Sequence, residues 1–179
     1  KLGDDGELIW ASGQASVEEI ETENIVGATC LAMKRAMDEV SFKSKKIWSP
    51  QEKSENSLFS GLSKNEQGSW IVSVDGRPMK RLPYIHDGLI KGDTFSLAIA
   101  MGSLVAKVTR DRLMRMLAEK FPAYDFSSNK GYGSPKHLTG LRASGPCPHH
   151  RPRFLRNLLG QGPEGKTISP DKQSQLSFS

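Results

Sequence analysis

Cysteine is nearly missing from this 179-residue chain, which holds only Cys30 and Cys147. Two distant cysteines make no disulfide framework, and without a CxxC pair there is no zinc or redox motif to read. A reducing compartment is therefore expected, the cytoplasm or an organelle matrix. Long apolar runs are missing as well, since nothing approaches the roughly 18 consecutive apolar residues of a membrane span. No basic, apolar and small-residue leader opens the sequence, so a soluble protein is expected. The sequence starts at Lys1 and not at Met, as a fragment, a processed product or a trimmed chain would. Apolar residues are scarce at 36%, although the 17 glycines close most of the gap to ordinary globular composition. A core is expected, with some segments solvated. No sign of charge dominates: 25 Lys and Arg against 20 Asp and Glu leave +5, compatible with a polyanionic partner without requiring one.

What is present divides the chain into a domain over 1–159 and a polar, disordered tail over 160–179. Ser16 and Glu19 form a capping-box pair that predicts a helix start. Ile20, Ile25, Ala28, Leu31, Ala32, Met33, Ala36 and Met37 follow at three- and four-residue intervals, predicting one core-directed face, with Glu18, Lys34, Arg35 and Glu39 solvated. From 41 to 69 the composition turns to Ser, Lys, Glu, Asn and Gln, which reads as a flexible insertion tacked down at Leu58 and Phe59. The β-branched run Trp70 to Val74 predicts a buried strand that delivers Asp75 at its end, and Gly88 to Ile90 predicts a weaker one. Asp93 or Thr94 is expected to cap a long helix from Phe95 to Lys120, with Leu97, Ala100, Leu104, Val108, Asp111 or Arg112, and Met116 on successive turns. Ser134-Pro135 and Gly145-Pro146 bracket a short helix over 135–144.

Two carboxylates stand where chemistry is often placed, Asp75 at a strand end and Asp93 between a strand and a helix. Brought together, such a pair can hold Mg²⁺ or Mn²⁺, which take hard oxygen ligands and few protein carboxylates. The same spacing also suits an ordinary turn Asp followed by an ordinary helix-capping Asp. Cys147, His149 and His150 have the composition of a zinc cluster, but they crowd into four residues without a second ligand pair. They are expected to dock a C-terminal segment on the fold. Asp111, beside Arg110 and Arg112, is expected to be a surface ion-pair partner. Lys107, Arg110, Arg112, Lys130, Lys136, Arg142, Arg151 and Arg153 make the second half basic, which suits phosphate contacts or a solvated helix face equally well.

Six stretches occur in a telling order: Ala15-Ser16-Val17-Glu18-Glu19-Ile20, Val74-Asp75-Gly76, Lys91-Gly92-Asp93, Ala106-Lys107-Val108-Thr109-Arg110-Asp111-Arg112, Lys130-Gly131-Tyr132-Gly133 and Gly145-Pro146-Cys147-Pro148. His150-Arg151 and Phe154 close the series. Together they resemble ribonuclease HII over roughly residues 10 to 156, the insertion at 41–69 excepted. The resemblance implies an α/β, RNase H-like fold, a mixed sheet flanked by helices, here N-terminally truncated and with a C-terminal helical segment. It implies an endoribonuclease that hydrolyses the RNA strand of RNA:DNA hybrids, and single ribonucleotides embedded in DNA, with a divalent metal, Mg²⁺ or Mn²⁺. By the same resemblance Asp75 and Asp93 match two of the family's four metal-binding acids. Tyr132 matches the tyrosine that packs at the sugar of the RNA–DNA junction, and Lys130, Lys107 and Arg151 are candidate contacts to the nucleic acid.

The family's first strand carries an Asp-Glu-Ala-Gly-Arg-Gly motif, and this sequence has none. Asp4-Asp5-Gly6-Glu7 is not that motif, because it directly precedes the match to a later family segment and lacks the Ala-Gly-Arg-Gly continuation. Two acids against two divalent ions would leave the metal charge under-neutralised. The alternative expectation is therefore an inactive relative or fragment that serves as a nucleic-acid-binding or structural protein. In the tail, Gln175-Leu176-Ser177-Phe178 resembles the short peptides that dock on bacterial sliding clamps, which makes such a clamp a candidate partner.

Overall fold

A computed structural model describes residues 8–45, 49–53 and 71–158. The tail with Gln175, Leu176 and Phe178, the Asp4–Glu7 cluster, and Leu58, Phe59 and Trp70 all lie outside the described residues. Among the described residues six α-helices, one 3₁₀ turn and two strands follow in the order α1 (Val17–Lys43), β1 (Ser73–Asp75), β2 (Asp87–Leu89), α2 (Gly92–Phe95), α3 (Leu97–Lys120), the 3₁₀ turn (Pro122–Tyr124), α4 (Phe126–Asn129), α5 (Pro135–Ser144) and α6 (Pro152–Leu158). The architecture is mixed α/β, mostly helical, with one small sheet among the described residues. Its two strands are parallel, with Ser73, Val74 and Asp75 opposite Asp87, Gly88 and Leu89. No described helix is long and apolar enough to cross a membrane.

The chain forms two compact units, one of residues 1–15 and 25–108, the other of residues 16–24 and 109–179. In the first, Cys30, Val74, Leu82 and Tyr84 make the core, with Met33, Met37 and Met79 packed against it. In the second, Leu117, Tyr124, Phe126, Leu141 and Cys147 make the core, joined by Leu113, Met114, Ala118, Phe121 and Leu155. There α5 lies so close to the 3₁₀ turn that a Cβ on Gly140 would stand 1.8 Å from the Ala123 carbonyl oxygen. Only glycine permits that approach, because the obstacle is backbone and cannot rotate away.

Several expectations meet the structure directly. The capping box forms as expected: the Ser16 amide donates to Glu19 Oε2 at 2.8 Å and the Glu19 amide to Ser16 Oγ at 3.2 Å. The helix it starts does not keep one face, because Asn24 leaves helical geometry at φ 57°, ψ 175° and the apolar phase changes there. Ile25 is consequently exposed, and Gly27, Ala28 and Cys30 are the buried residues of α1. The helix also runs to Lys43, into the segment expected to be an insertion. The strand is shorter than the β-branched run that suggested it, and it is not buried: Val74 alone is enclosed, while Ile71 is 75% exposed.

The long helix begins two residues later than expected and is capped differently. Lys91, in the left-handed region, precedes the short α2, and extended backbone at Ser96 breaks the run before α3 starts. Thr94 does not cap α3, since its hydroxyl donates back to the Lys91 carbonyl, whereas Ser96 Oγ accepts from the Ile99 amide at 3.5 Å. The face read from Leu97, Leu104, Val108 and Met116 is exposed, and the buried positions of α3 are Ile99 and Leu117. The short helix over 135–144 matches its expected bounds, with Ser134 Oγ accepting the His137 amide at 3.3 Å.

Candidate functional site

Asp75 reaches its place because β1 and β2 run parallel, which brings their C-terminal ends to one edge of the sheet. Carboxyl ends of parallel strands are where α/β folds commonly collect ligand-binding groups. Beyond Asp75 the chain turns at Gly76, whose φ is 86° and whose amide donates to the Leu89 carbonyl at 2.9 Å. Only Ile90 and Lys91 separate β2 from α2, and the first amide of that helix, Gly92 N–H, donates to Asp75 Oδ1 at 2.8 Å. Asp75 thereby satisfies an amide that the N-cap residue, Lys91, leaves without a side-chain partner. The bond sets the Asp75 carboxylate against the residue next to Asp93, which sits in the first turn of α2 and does not end a strand or cap the long helix.

Gly92 is buried and fits closely, with a hypothetical Cβ 2.7 Å from Ile99 Cδ1, 3.3 Å from Leu89 Cβ and 3.4 Å from Asp75 Oδ1. The side chains of Asp75 and Asp93 are both exposed. Two water-facing carboxylates of this kind are the hard oxygen donors that Mg²⁺ and Mn²⁺ prefer, and both ions keep several waters when bound. No group of three or more His, Cys, Asp or Glu side chains placed to hold a metal occurs among the described residues. The residues present thus fit a site of two acids that takes its remaining ligands from water or a bound phosphate.

Lys107 is exposed on α3 and belongs, with Asp75 and Asp93, to the first unit. Lys130, Tyr132 and Arg151 belong to the second. There Lys130 adopts the left-handed region at φ 52° and its ammonium donates to the Ser127 carbonyl. Tyr132 presents a 64% exposed ring, and Arg151 lies over the Phe154 ring at 5.1 Å. Arg110 turns to Tyr132, donating to its hydroxyl at 3.1 Å, instead of to Asp111. That contact holds the pKa of the Tyr132 phenol below the usual tyrosine value, through the hydrogen bond and then through the guanidinium charge.

Cys147, His149 and His150 form no metal cluster. Cys147 is part of the second core, the His149 ring meets Phe121 edge-on at 5.6 Å, and His150 pairs with a residue the sequence did not single out, His137. The Cys147 amide donates to His150 Nδ1 at 3.0 Å, so that nitrogen accepts and Nε2 carries the proton. His150 Nε2 then donates to His137 Nε2 at 3.2 Å, and His137 Nδ1 donates to the Tyr124 carbonyl at 3.1 Å. The chain of bonds closes with both imidazoles neutral. Burial holds both below the ordinary histidine value; the Tyr124 and Cys147 backbones oppose this, while repulsion from a protonated His137 or His149 presses the His150 value further down.

A family model described as Ribonuclease HII matches residues 69–157. Among curated proteins, a Ribonuclease HII of Cupriavidus necator is 37% identical over 158 residues, covering 87% of this chain and 57% of the relative. One of Burkholderia thailandensis is 37% identical over 147 residues, 82% of this chain and 57% of the relative. One of Sphingopyxis alaskensis is 39% identical over 145 residues, 81% of this chain and 61% of the relative. The chain therefore spans between 57 and 61% of the length of these relatives. A match at this identity over four-fifths or more of the sequence, together with the family model across the segment that carries Asp75, Asp93 and Tyr132, means that the chain belongs to the ribonuclease HII family.

Proposed function

We propose that the chain is the part of a ribonuclease HII-type endonuclease that carries Asp75 and Asp93 as metal-binding acids and Tyr132 as the residue facing the sugar at an RNA–DNA junction. The substrates are RNA:DNA hybrids and DNA duplexes with embedded ribonucleotides, and the reaction is hydrolysis of a phosphodiester. The observation that carries this reading is the Asp75 Oδ1 to Gly92 amide bond of 2.8 Å, which sets one carboxylate beside the segment that bears the other. A bound Mg²⁺ or Mn²⁺ would supply an acidified water and positive charge against the leaving oxygen. The chain's own task is narrower. Asp75 and Asp93 offer hard oxygens toward solvent, Gly92 keeps the two segments in contact, and Tyr132 offers a ring and a hydroxyl to the ribose, whose 2′-hydroxyl distinguishes RNA from DNA.

A second reading, an inactive relative that binds nucleic acid, is favoured by one observation: no third acid, histidine or cysteine joins the two aspartates in a metal-binding group among the described residues. One assay separates the two. A labelled duplex with a single ribonucleotide is incubated with Mn²⁺ and the 179-residue chain, alone or with an Asp-Glu-Ala-Gly-Arg-Gly strand joined upstream. The enzyme reading expects slow cleavage by the chain alone, much faster cleavage by the extended protein, and loss of both with Asp75→Asn. Binding without cleavage in the extended protein supports the second reading. Robust cleavage that survives Asp75→Asn and Asp93→Asn overturns the site assignment.

A further inference from the structure

Tyr132 is exposed, and an exposed tyrosine ordinarily swings freely about its side-chain bonds. Here one arginine holds it at two points and the backbone two residues before it at a third. Arg110 donates through one terminal nitrogen to the Tyr132 hydroxyl at 3.1 Å and through the other to the Lys130 carbonyl at 2.9 Å, while its guanidinium carbon stands 4.8 Å from the ring centroid. Arginine suits this because its planar fork can stack and donate in two directions at once, which an ammonium cannot.

The turn that carries the ring is fixed independently. The Tyr132 amide donates to the Asn129 carbonyl at 2.9 Å, the Gly131 amide to Asn129 Oδ1 at 2.8 Å, and Asn129 Nδ2 to the carbonyl of buried Tyr124 at 2.7 Å. The backbone is thus tied to the core of its unit, and the ring is tied to α3.

The chemistry of the contact has a direction. Arginine has no acceptor, so the phenol oxygen must accept, and its own proton points away from Arg110 toward another acceptor. One ring face lies under the guanidinium and the opposite face is left for a ligand. We propose that Arg110 is a positioning residue for Tyr132: it fixes which ring face and which hydroxyl direction meet the sugar, and so sets discrimination between ribose and deoxyribose. This rests on the reading of Tyr132 as the sugar-facing residue. Two of its N–H groups and one of its faces being engaged within the protein, Arg110 contributes through Tyr132 and not as a phosphate contact.

Two measurements on the 179-residue chain test it. The first follows the ring carbons of ¹³C-labelled tyrosine by NMR as pH rises. Tyr132 should titrate below the other tyrosines in the unsubstituted chain and return to the ordinary range in Arg110→Gln and Arg110→Lys. Titration unchanged in both variants overturns the contact. The second compares binding to a duplex with one ribonucleotide and to the all-DNA duplex by fluorescence anisotropy, with Ca²⁺ replacing the catalytic ions. Arg110→Gln should lower the ratio of the two affinities about three- to fivefold, the size expected for losing one exposed cation–π contact. It should add nothing to the loss already caused by Tyr132→Ala. Equal weakening on both duplexes with an unchanged ratio makes Arg110 a phosphate contact and overturns the proposal. If the unsubstituted chain does not discriminate at all, the sugar-facing reading of Tyr132 fails, and the titration still decides whether Arg110 holds the ring.

Discussion

At the scale of single residues, the candidate site depends on a close approach at Gly92, where an added methyl group would force its neighbours to shift. A methyl group on Gly92 would press on Ile99 Cδ1 and Leu89 Cβ, the first a mobile side-chain end and the second fixed to a strand. Gly92→Ala is expected to cost about 1–3 kcal/mol, as overpacking usually does, and to weaken Mn²⁺ binding by shifting α2 away from Asp75. Urea unfolding and a metal titration of the same variant check both parts. The imidazole pair makes a second residue-scale expectation. Both histidines are held below their ordinary value in the fold, so the unfolded chain takes up protons first and stability rises with pH. The contribution is complete above about pH 6.5, the unfolded histidine value, and is lost as the pH falls below it. The thermal midpoint should drop between pH 7.5 and 5.5, and a His137→Phe, His150→Phe double variant should flatten that slope. An unchanged slope would mean that the pair titrates as it does in the unfolded chain.

At the scale of elements, legibility followed how local the physics is. Ser16 with Glu19, and Ser134 with His137, are caps whose partners lie three residues apart, and both form as the sequence predicts. Ser16→Ala should cost roughly 1 kcal/mol, read from the denaturant midpoint, because it removes an acceptor from the first turn. The faces of α1 and α3 were not legible. A non-helical Asn24 and an extended Ser96 reset the helical phase, and neither residue type announces this. The Asp75 to Gly92 bond and the grip of Arg110 on Tyr132 join positions 17 and 22 apart in sequence, beyond the reach of any periodicity. The family motifs contain Gly92 and Arg110 but gave a role only to Asp75, Asp93 and Tyr132, and they do not contain His137.

At the scale of the whole molecule, one unit carries more uncovered apolar surface than small cores can leave in water without consequence. Ile90, Phe95, Leu97 and Leu104 are each more than 60% exposed in the same unit. Exposed apolar patches favour association and dye binding. The chain is expected to enhance the fluorescence of a hydrophobic dye, and Phe95→Lys with Leu97→Lys should reduce that signal while leaving far-UV circular dichroism unchanged. The central claim, however, is that Asp75 and Asp93 together hold a divalent ion. The most direct test is paramagnetic broadening of the ¹⁵N amide spectrum by substoichiometric Mn²⁺. The account predicts that the amides of Asp75, Gly76, Gly92 and Asp93 broaden first, and that Asp75→Asn or Asp93→Asn abolishes the effect. Broadening that begins elsewhere and spares these four amides would contradict it.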